Sequence, residues 1–215
     1  LVRKDPLIAQ LSLSRIREMI KDKGTEEIPE RERWIFGQDV NKRFKFFTDE
    51  LFGIDGAIAM VVNYIEGAAN RGSTGKQILV LAGPPASGKS TIVKKLMKGL
   101  ENYRKRPVFM IQGCPKFEEP LHLLPRHLRE DATKTNEECD ECKNLPEGER
   151  KHLHLGLKID GDLCPVCRDL LMTQFRDQEK EIVRWWDVPV ETFTFSIQGR
   201  RGLGSFEPSG EKASD

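Results

Sequence analysis

Eight consecutive residues, Gly83-Pro84-Pro85-Ala86-Ser87-Gly88-Lys89-Ser90, match the spacing G-x-x-x-x-G-K-[ST] in full. Each fixed position has a chemical reason. Glycines let backbone N–H groups turn inward and approach phosphate oxygens with no Cβ in the way. A helix starting at the end of the loop adds the positive end of its dipole. Lys89 brings a compact charge to the β and γ phosphates and is the residue expected to carry most of the chemistry. The Ser90 hydroxyl suits Mg²⁺, and Thr91 closes the stretch expected to hold ATP. A chance match in a chain of this length is expected roughly once in a hundred times, and this one lies between an apolar run and a helical pattern.

Turnover needs more than binding. Hydrolysis ordinarily uses an acid at the end of a neighbouring buried strand to hold Mg²⁺ and position water. No apolar run ending in Asp-Glu follows Ser90. Asp160, Asp162 and Asp187 follow weak or bulky stretches and read as surface carboxylates. The expectation is a segment that binds nucleotide and turns it over poorly.

The second chemical pattern is cysteine. Cys139-x-x-Cys142 and Cys164-x-x-Cys167 are separated by residues 143–163. Two such pairs suit tetrahedral Zn²⁺ held by four thiolates, a structural rather than catalytic arrangement, with two free pairs or a redox pair as the alternatives. Cys164-Pro165-Val166-Cys167-Arg168 is similar to a zinc-ribbon knuckle. His152 and His154 read as solvated, and Cys114 beside Pro115 as a small buried residue.

The elements that would position these groups follow from periodicity. Residues 5–20 predict a helix with Ile8, Leu11, Ile16, Met19 and Ile20 on one face. Residues 21–33 read as a charged linker. A second helix fits 55 to about 70, with Ile58, Val61, Val62, Ile65 and Ala69 on one face. After a turn at 71–75, residues 77–82 (QILVLA) predict a strand buried on both faces. A helix over 90–100, turning Ile92, Val93, Leu96 and Leu100 inward, and a strand at 108–111 complete a βαβ unit. Residues 131–181 read as a polar, zinc-ribbon-like insertion, and a strand returns at 190–196. The fold class expected is α/β, a P-loop parallel sheet with flanking helices. The domains expected are an N-terminal helix and linker at 1–33 and a core at 34–215.

Composition bounds the partners. Lys plus Arg number 35 against 34 Asp plus Glu, a formal charge of +1. That leaves no global field for nucleic acid or an anionic membrane, and Glu137, Glu138, Asp140 and Glu141 around the first cysteine pair disfavour nucleic acid further. No apolar run approaches the ~20 residues of a membrane-spanning helix. The first residue is Leu1, and residues 1–10 lack a signal peptide's apolar core. The expectation is a piece of a longer cytoplasmic protein with its five cysteines reduced.

Further residues carry a family resemblance. They are the phosphate loop, Gly113-Cys114-Pro115, Glu118-Glu119-Pro120-Leu121-His122-Leu123-Leu124-Pro125, Gly161-Asp162-Leu163-Cys164-Pro165-Val166-Cys167-Arg168 and the ending Gly202-Leu203-Gly204-Ser205-Phe206-Glu207-Pro208. Together they resemble the N-terminal AAA domain of PrkA-type (YeaG-type) bacterial serine protein kinases over nearly the whole chain. The resemblance implies an AAA+ core that couples Mg-ATP to phosphorylation of a protein substrate, in a stress or sporulation response. Its alternative is an AAA+ protein remodeller or Lon-like protease. It also implies that Phe52-Gly53-Ile54 lies beside the adenine, with a plain core turn as the competing reading. Arg200 and Arg201 could act across subunits of a homo-oligomeric ring, though a solvated basic turn is the simpler reading. Two features depart from the family: the chain is expected to stop before the strand that supplies the Mg²⁺-polarising acid, the sensor residues and the C-terminal region, and Pro84-Pro85-Ala86 stands where a Gly-rich stretch is expected. Nothing resembles the H-R-D or D-F-G elements of eukaryotic-type kinases, so the kinase reading comes from the family resemblance alone.

Overall fold

A computed structural model describes residues 2, 5–10, 12–36, 40–70, 77–144, 146, 152, 154–177, 179 and 181–204. The chain divides into two units, one of residues 10–104 with 195–215, the other of residues 1–9 with 105–194. This differs from the expected division at residue 33 and from a separate insertion at 131–181.

In the first unit, helix α1 (Ser12–Lys23) buries Met19 and Ile20 and ends at Gly24, whose φ of 75° stops the helix. The predicted helix over 5–20 is thus split: Pro6–Ala9 form a 3₁₀ turn and Ser12 opens α1. Leu11 lies outside the described residues. The expected linker is also structured. It contributes strand β1 (Thr25–Glu27) and opens helix α2 (Glu30–Phe36). Strand β2 (Lys42–Phe44) pairs antiparallel with β1, Thr25 opposite Phe44. The linker charges are used there, because Arg43 reaches Glu26 at 3.3 Å and the buried Asp55 at 3.1 Å.

Asp55 opens helix α3 (Asp55–Ala69), a favourable place for a negative side chain. Ile58, Val61, Val62, Ile65 and Ala69 are all buried, as their spacing predicts. Phe46, Phe47, Leu51, Met19, Ile20 and Ile92 share one core with Ile58, Val61, Val62 and Ile65. Helix α4 (Lys89–Asn102) turns Ile92 into it and buries Leu100 as well. Val93 faces solvent instead of the core, since its place on the helix lies off the 92–96–100 stripe. At Gly99, α4 leaves no room for a side chain. A Cβ there would lie 2.6 Å from Met19 Sδ and from Phe46 Cζ.

The expected strand at residues 77–82 does not form. Ile78 is 89% exposed and Val80 76%, and only Leu81 packs against the core. An apolar run becomes a buried strand only when neighbours satisfy its N–H and C=O groups on both edges. Among the described residues no strand pairs with it. The βαβ unit and the parallel sheet are therefore not present among the described residues, which hold three two-stranded antiparallel sheets.

The second unit is built on strand β3 (Val108–Ile111). Helix α5 (Arg126–Thr133) and helix α6 (Pro165–Gln174) follow, and then the short hairpin of β4 (Arg176–Asp177) and β5 (Ile182–Val183). Strand β6 (Val190–Phe193), shorter than the predicted 190–196, pairs antiparallel with β3, Ile111 opposite Val190. Ile111, Cys114, Leu123, Cys167, Leu171 and Val188 form its core. Residues of the supposed insertion thus share a core with β3. Among the described residues the two cysteine pairs do not come together as a zinc ribbon would require, and Cys167 lies in the first turn of α6. The turn at 71–75 and the ending from Ser205 onward lie outside the described residues. No helix among the described residues is long and apolar enough to cross a membrane.

Candidate phosphate-binding site

The loop at residues 83–90 leads directly into α4. Gly88 precedes the helix in the left-handed region at φ 84°, and Gly83 turns at φ 156°. A Cβ is strained at both angles, which accounts for glycine at both. Ala86 sits at φ 61°, an uncommon conformation for a residue with a Cβ. The first helical bond runs from the Ile92 N–H to the Gly88 carbonyl at 2.9 Å. Gly88 has no side chain to cap the first-turn N–H groups that follow it, so the helix start offers donors and its positive dipole end to an anion.

Lys89 is folded back into this loop. Its ammonium donates to the Gly83 carbonyl at 2.9 Å, the Pro84 carbonyl at 2.6 Å and the Ser87 hydroxyl at 2.9 Å. The charge is thereby held at the loop's centre. Ser90 is exposed at the first turn of α4, where a hydroxyl can reach a cation held by phosphate.

A cleft of about 460 Å³ opens over the helix start, lined by Ala86, Ser87, Gly88, Lys89, Ser90 and Thr91 on one side. Phe52 and Ile54 line the other side, so the Phe52-Gly53-Ile54 segment does come to the loop. Phe52 is 78% exposed, which a plain core turn would not require. Gly83, Pro84, Pro85 and Gly53 are part of the same segments but do not line the cleft. Glu50 and Leu51 do line it and were not expected from the sequence. Their signal is adjacency to Phe52. Lys95, buried in α4, anchors this side through Asp49 at 2.5 Å and Glu50 at 3.4 Å.

The acids behave as their sequence context implies. Asp160, Asp162 and Asp187 are exposed, and Asp187 pairs with Arg184 at 3.1 Å. Arg200 is an exposed residue of a turn at φ 49°.

The cysteines depart from expectation. Cys139, Cys142, Cys164 and Cys167 do not converge on one point. They fall into two groups, Cys139 and Cys142 with His154, and Cys164 and Cys167 with Cys114. Each x-x spacing makes a local pair, but distant chain segments choose its third member. The first pair meets the segment that α5 holds, through Leu155 and Leu157 N–H groups on the Ala132 carbonyl at 3.2 and 3.0 Å. The second lies at the start of α6, inside the core that also holds Cys114. Cys114 is buried as expected but has thiol company, its Sγ 3.7 Å from Cys164 Sγ. His154 is buried rather than solvated. The repeated Cys-Pro dipeptide at 114–115 and 164–165 and the His-x-His at 152–154 were the available signals.

The thiols differ in acidity. The adjoining His154 imidazole pulls Cys139 down to about 7, while burial pushes Cys142 up. Burial also pushes Cys167 up. At Cys114 burial acts in the same direction but is outweighed by backbone N–H groups of Glu118 and Lys116, then by the neighbouring thiols, and the net shift is downward. Glu118 braces this cluster: its carboxylate accepts the Cys164 N–H at 2.7 Å and a hydrogen bond from the His122 ring. All five cysteines are free.

The family profile described as the PrkA AAA domain matches residues 1–215. A Bacillus subtilis (strain 168) protein named ATP-dependent protease PrkA is 36% identical over 219 aligned residues, covering 100% of this chain and 29% of that protein. A Geobacillus stearothermophilus protein, described as an uncharacterized protein in the gldA 5' region, is 40% identical over 79 residues, covering 36% of this chain and 71% of its own. No solved structure matches. The chain thus spans less than a third of the length of the B. subtilis relative.

Proposed function

The chain belongs to the PrkA AAA domain family, and from that premise we propose that it binds Mg-ATP in the cleft between residues 83–91 and Phe52-Gly53-Ile54. The observation that carries this reading is the position of Lys89, its ammonium held against Gly83, Pro84 and Ser87 at the uncapped start of α4. Triphosphate oxygens would exchange for those neutral acceptors, a stronger electrostatic partnership for the ammonium. The loop amides and the start of α4 would take the same phosphates. Ser90 would hold Mg²⁺, whose charge offsets that of the β and γ oxygens. Phe52 and Ile54 would enclose the adenine.

The bound nucleotide serves work on a protein substrate. The name of the B. subtilis relative supports coupling to proteolysis. The resemblance to PrkA-type serine kinases supports coupling to phosphoryl transfer. Assembly into a ring belongs to either reading, and five free thiols suit a reducing compartment such as the cytoplasm. With full-length protein and added protein substrate, transfer of the γ-phosphate supports the kinase, and ATP-dependent loss of the substrate supports the protease.

Binding itself is tested by titrating a fluorescent ATP analogue into the 215-residue chain and its Lys89→Ala variant. The variant should keep its fold, because the Lys89 ammonium contacts only the loop, and lose most affinity for the triphosphate. Equal affinity in both would sink the assignment.

A further inference from the structure

The imidazole of His154 is buried and only half used. Its side chain is 1% exposed. Nδ1 lies 3.1 Å from the Asp131 carbonyl oxygen and 3.4 Å from Asp131 Oδ1, so that nitrogen carries the proton and donates it. Nε2 is then a bare lone pair, and it is buried with no hydrogen-bond partner. Leaving such an acceptor unsatisfied costs free energy. Two sulfurs stand near the ring: one ring nitrogen of His154 and the Sγ atoms of Cys139 and Cys142 all lie within 4.8 Å of one another. Zn²⁺ in tetrahedral coordination sets sulfur and nitrogen ligands about 3.5–4 Å apart, so a small contraction would seat the ion.

We propose that Cys139, Cys142 and His154 Nε2 bind one Zn²⁺, with Asp131 orienting the imidazole and His152 or water in the fourth position. The local structure prepares this site before metal arrives. N–H groups of Cys142 and Lys143 both donate to the Cys139 carbonyl, at 3.1 and 3.0 Å, in a tight turn that carries both sulfurs. The His154 segment is tied to the end of α5 by Leu155, Gly156 and Leu157 N–H groups. The His152 ring stacks on that of His154, centroids 5.2 Å apart, which places a second imidazole at the cluster. Binding releases the thiol protons to solvent as the sulfurs become thiolates. Cys114, Cys164 and Cys167 do not share this site. Their grouping is accounted for by core packing and by the Cys164 sulfur capping α6 through the Cys167 N–H.

The test is metal content of the whole 215-residue chain purified without chelator, followed by Co²⁺ titration of the stripped protein. The unmodified chain should carry about one equivalent of zinc, and its cobalt form should show tetrahedral d–d and thiolate charge-transfer bands. Cys139→Ser and His154→Ala should abolish the bands, and Asp131→Asn should weaken affinity roughly 10–100-fold. Cys164→Ser should leave both zinc and bands in place. Far-UV circular dichroism checks each fold, and Cys139, only half-buried, decides if His154→Ala does not fold. An unmodified chain without zinc or cobalt bands overturns the proposal. So does loss of metal from folded Cys164→Ser, or its retention in Cys139→Ser.

Discussion

Gly88 stands so close to Ile54 that a Cβ built on it would lie 3.1 Å from Ile54 Cδ1, with Leu51 Cδ2 at 3.2 Å. The phosphate loop is therefore packed on the segment that carries Phe52, and the two walls of the cleft meet at a residue with no side chain. Gly88 is also at φ 84°, where a Cβ is strained whatever room it has.

Gly88→Ala should accordingly cost about 1–3 kcal/mol of stability, since it adds backbone strain to a tight contact. It should also weaken nucleotide binding by tilting the start of α4. Urea denaturation followed by tryptophan fluorescence measures the first effect and the fluorescent-nucleotide titration the second. An unchanged midpoint together with unchanged affinity would show that the loop tolerates the side chain.

Phe52→Ala separates stability from binding. The ring is largely exposed and makes little contribution to the core, so the urea midpoint should stay put. If the ring stacks on the adenine, affinity should fall by roughly 1–3 kcal/mol. Inorganic triphosphate, which has no base, should bind the variant as it binds the parent. Parallel losses for ATP and triphosphate would place Phe52 in the loop's support rather than against the base.

Glu118 offers a pH signature. Burial alone would raise its pKa, but hydrogen bonds from His122 and the Cys164 N–H outweigh burial and hold it below its ordinary value of 4.5. A carboxylate with a lowered folded pKa stabilises the fold fully above its unfolded pKa and loses that contribution as pH falls through the folded one. Glu118→Gln should cost roughly 1–2 kcal/mol at neutral pH, as expected for a hydrogen-bonded charge. The difference between variant and parent should shrink below about pH 4.5. Denaturation midpoints across that range measure it, and a gap that does not change with pH would assign the loss to packing.

What the sequence determined alone is local. The loop at 83–90 was legible because phosphate chemistry demands particular residues at fixed spacing, and α3 and α4 because a helix repeats its buried face every few residues. Phe52 and Ile54 line the cleft, a neighbourhood that only the family resemblance suggests and periodicity does not. Tertiary structure decided whatever depends on a distant partner. Residues 77–82 have every local mark of a buried strand, yet Ile78 and Val80 are exposed, because strand pairing is a property of two segments and not one. The cysteines repeat the lesson. The x-x spacing within each pair is a local fact, but whether Cys139 and Cys142 meet Cys164 or His154 depends on where the chain returns. The hydrogen bonds that tie residues 155–157 to α5 bring His154 to that pair. The Lys89 ammonium, turned back onto its own loop, is likewise set by the three acceptors within its reach and not by its place in a motif.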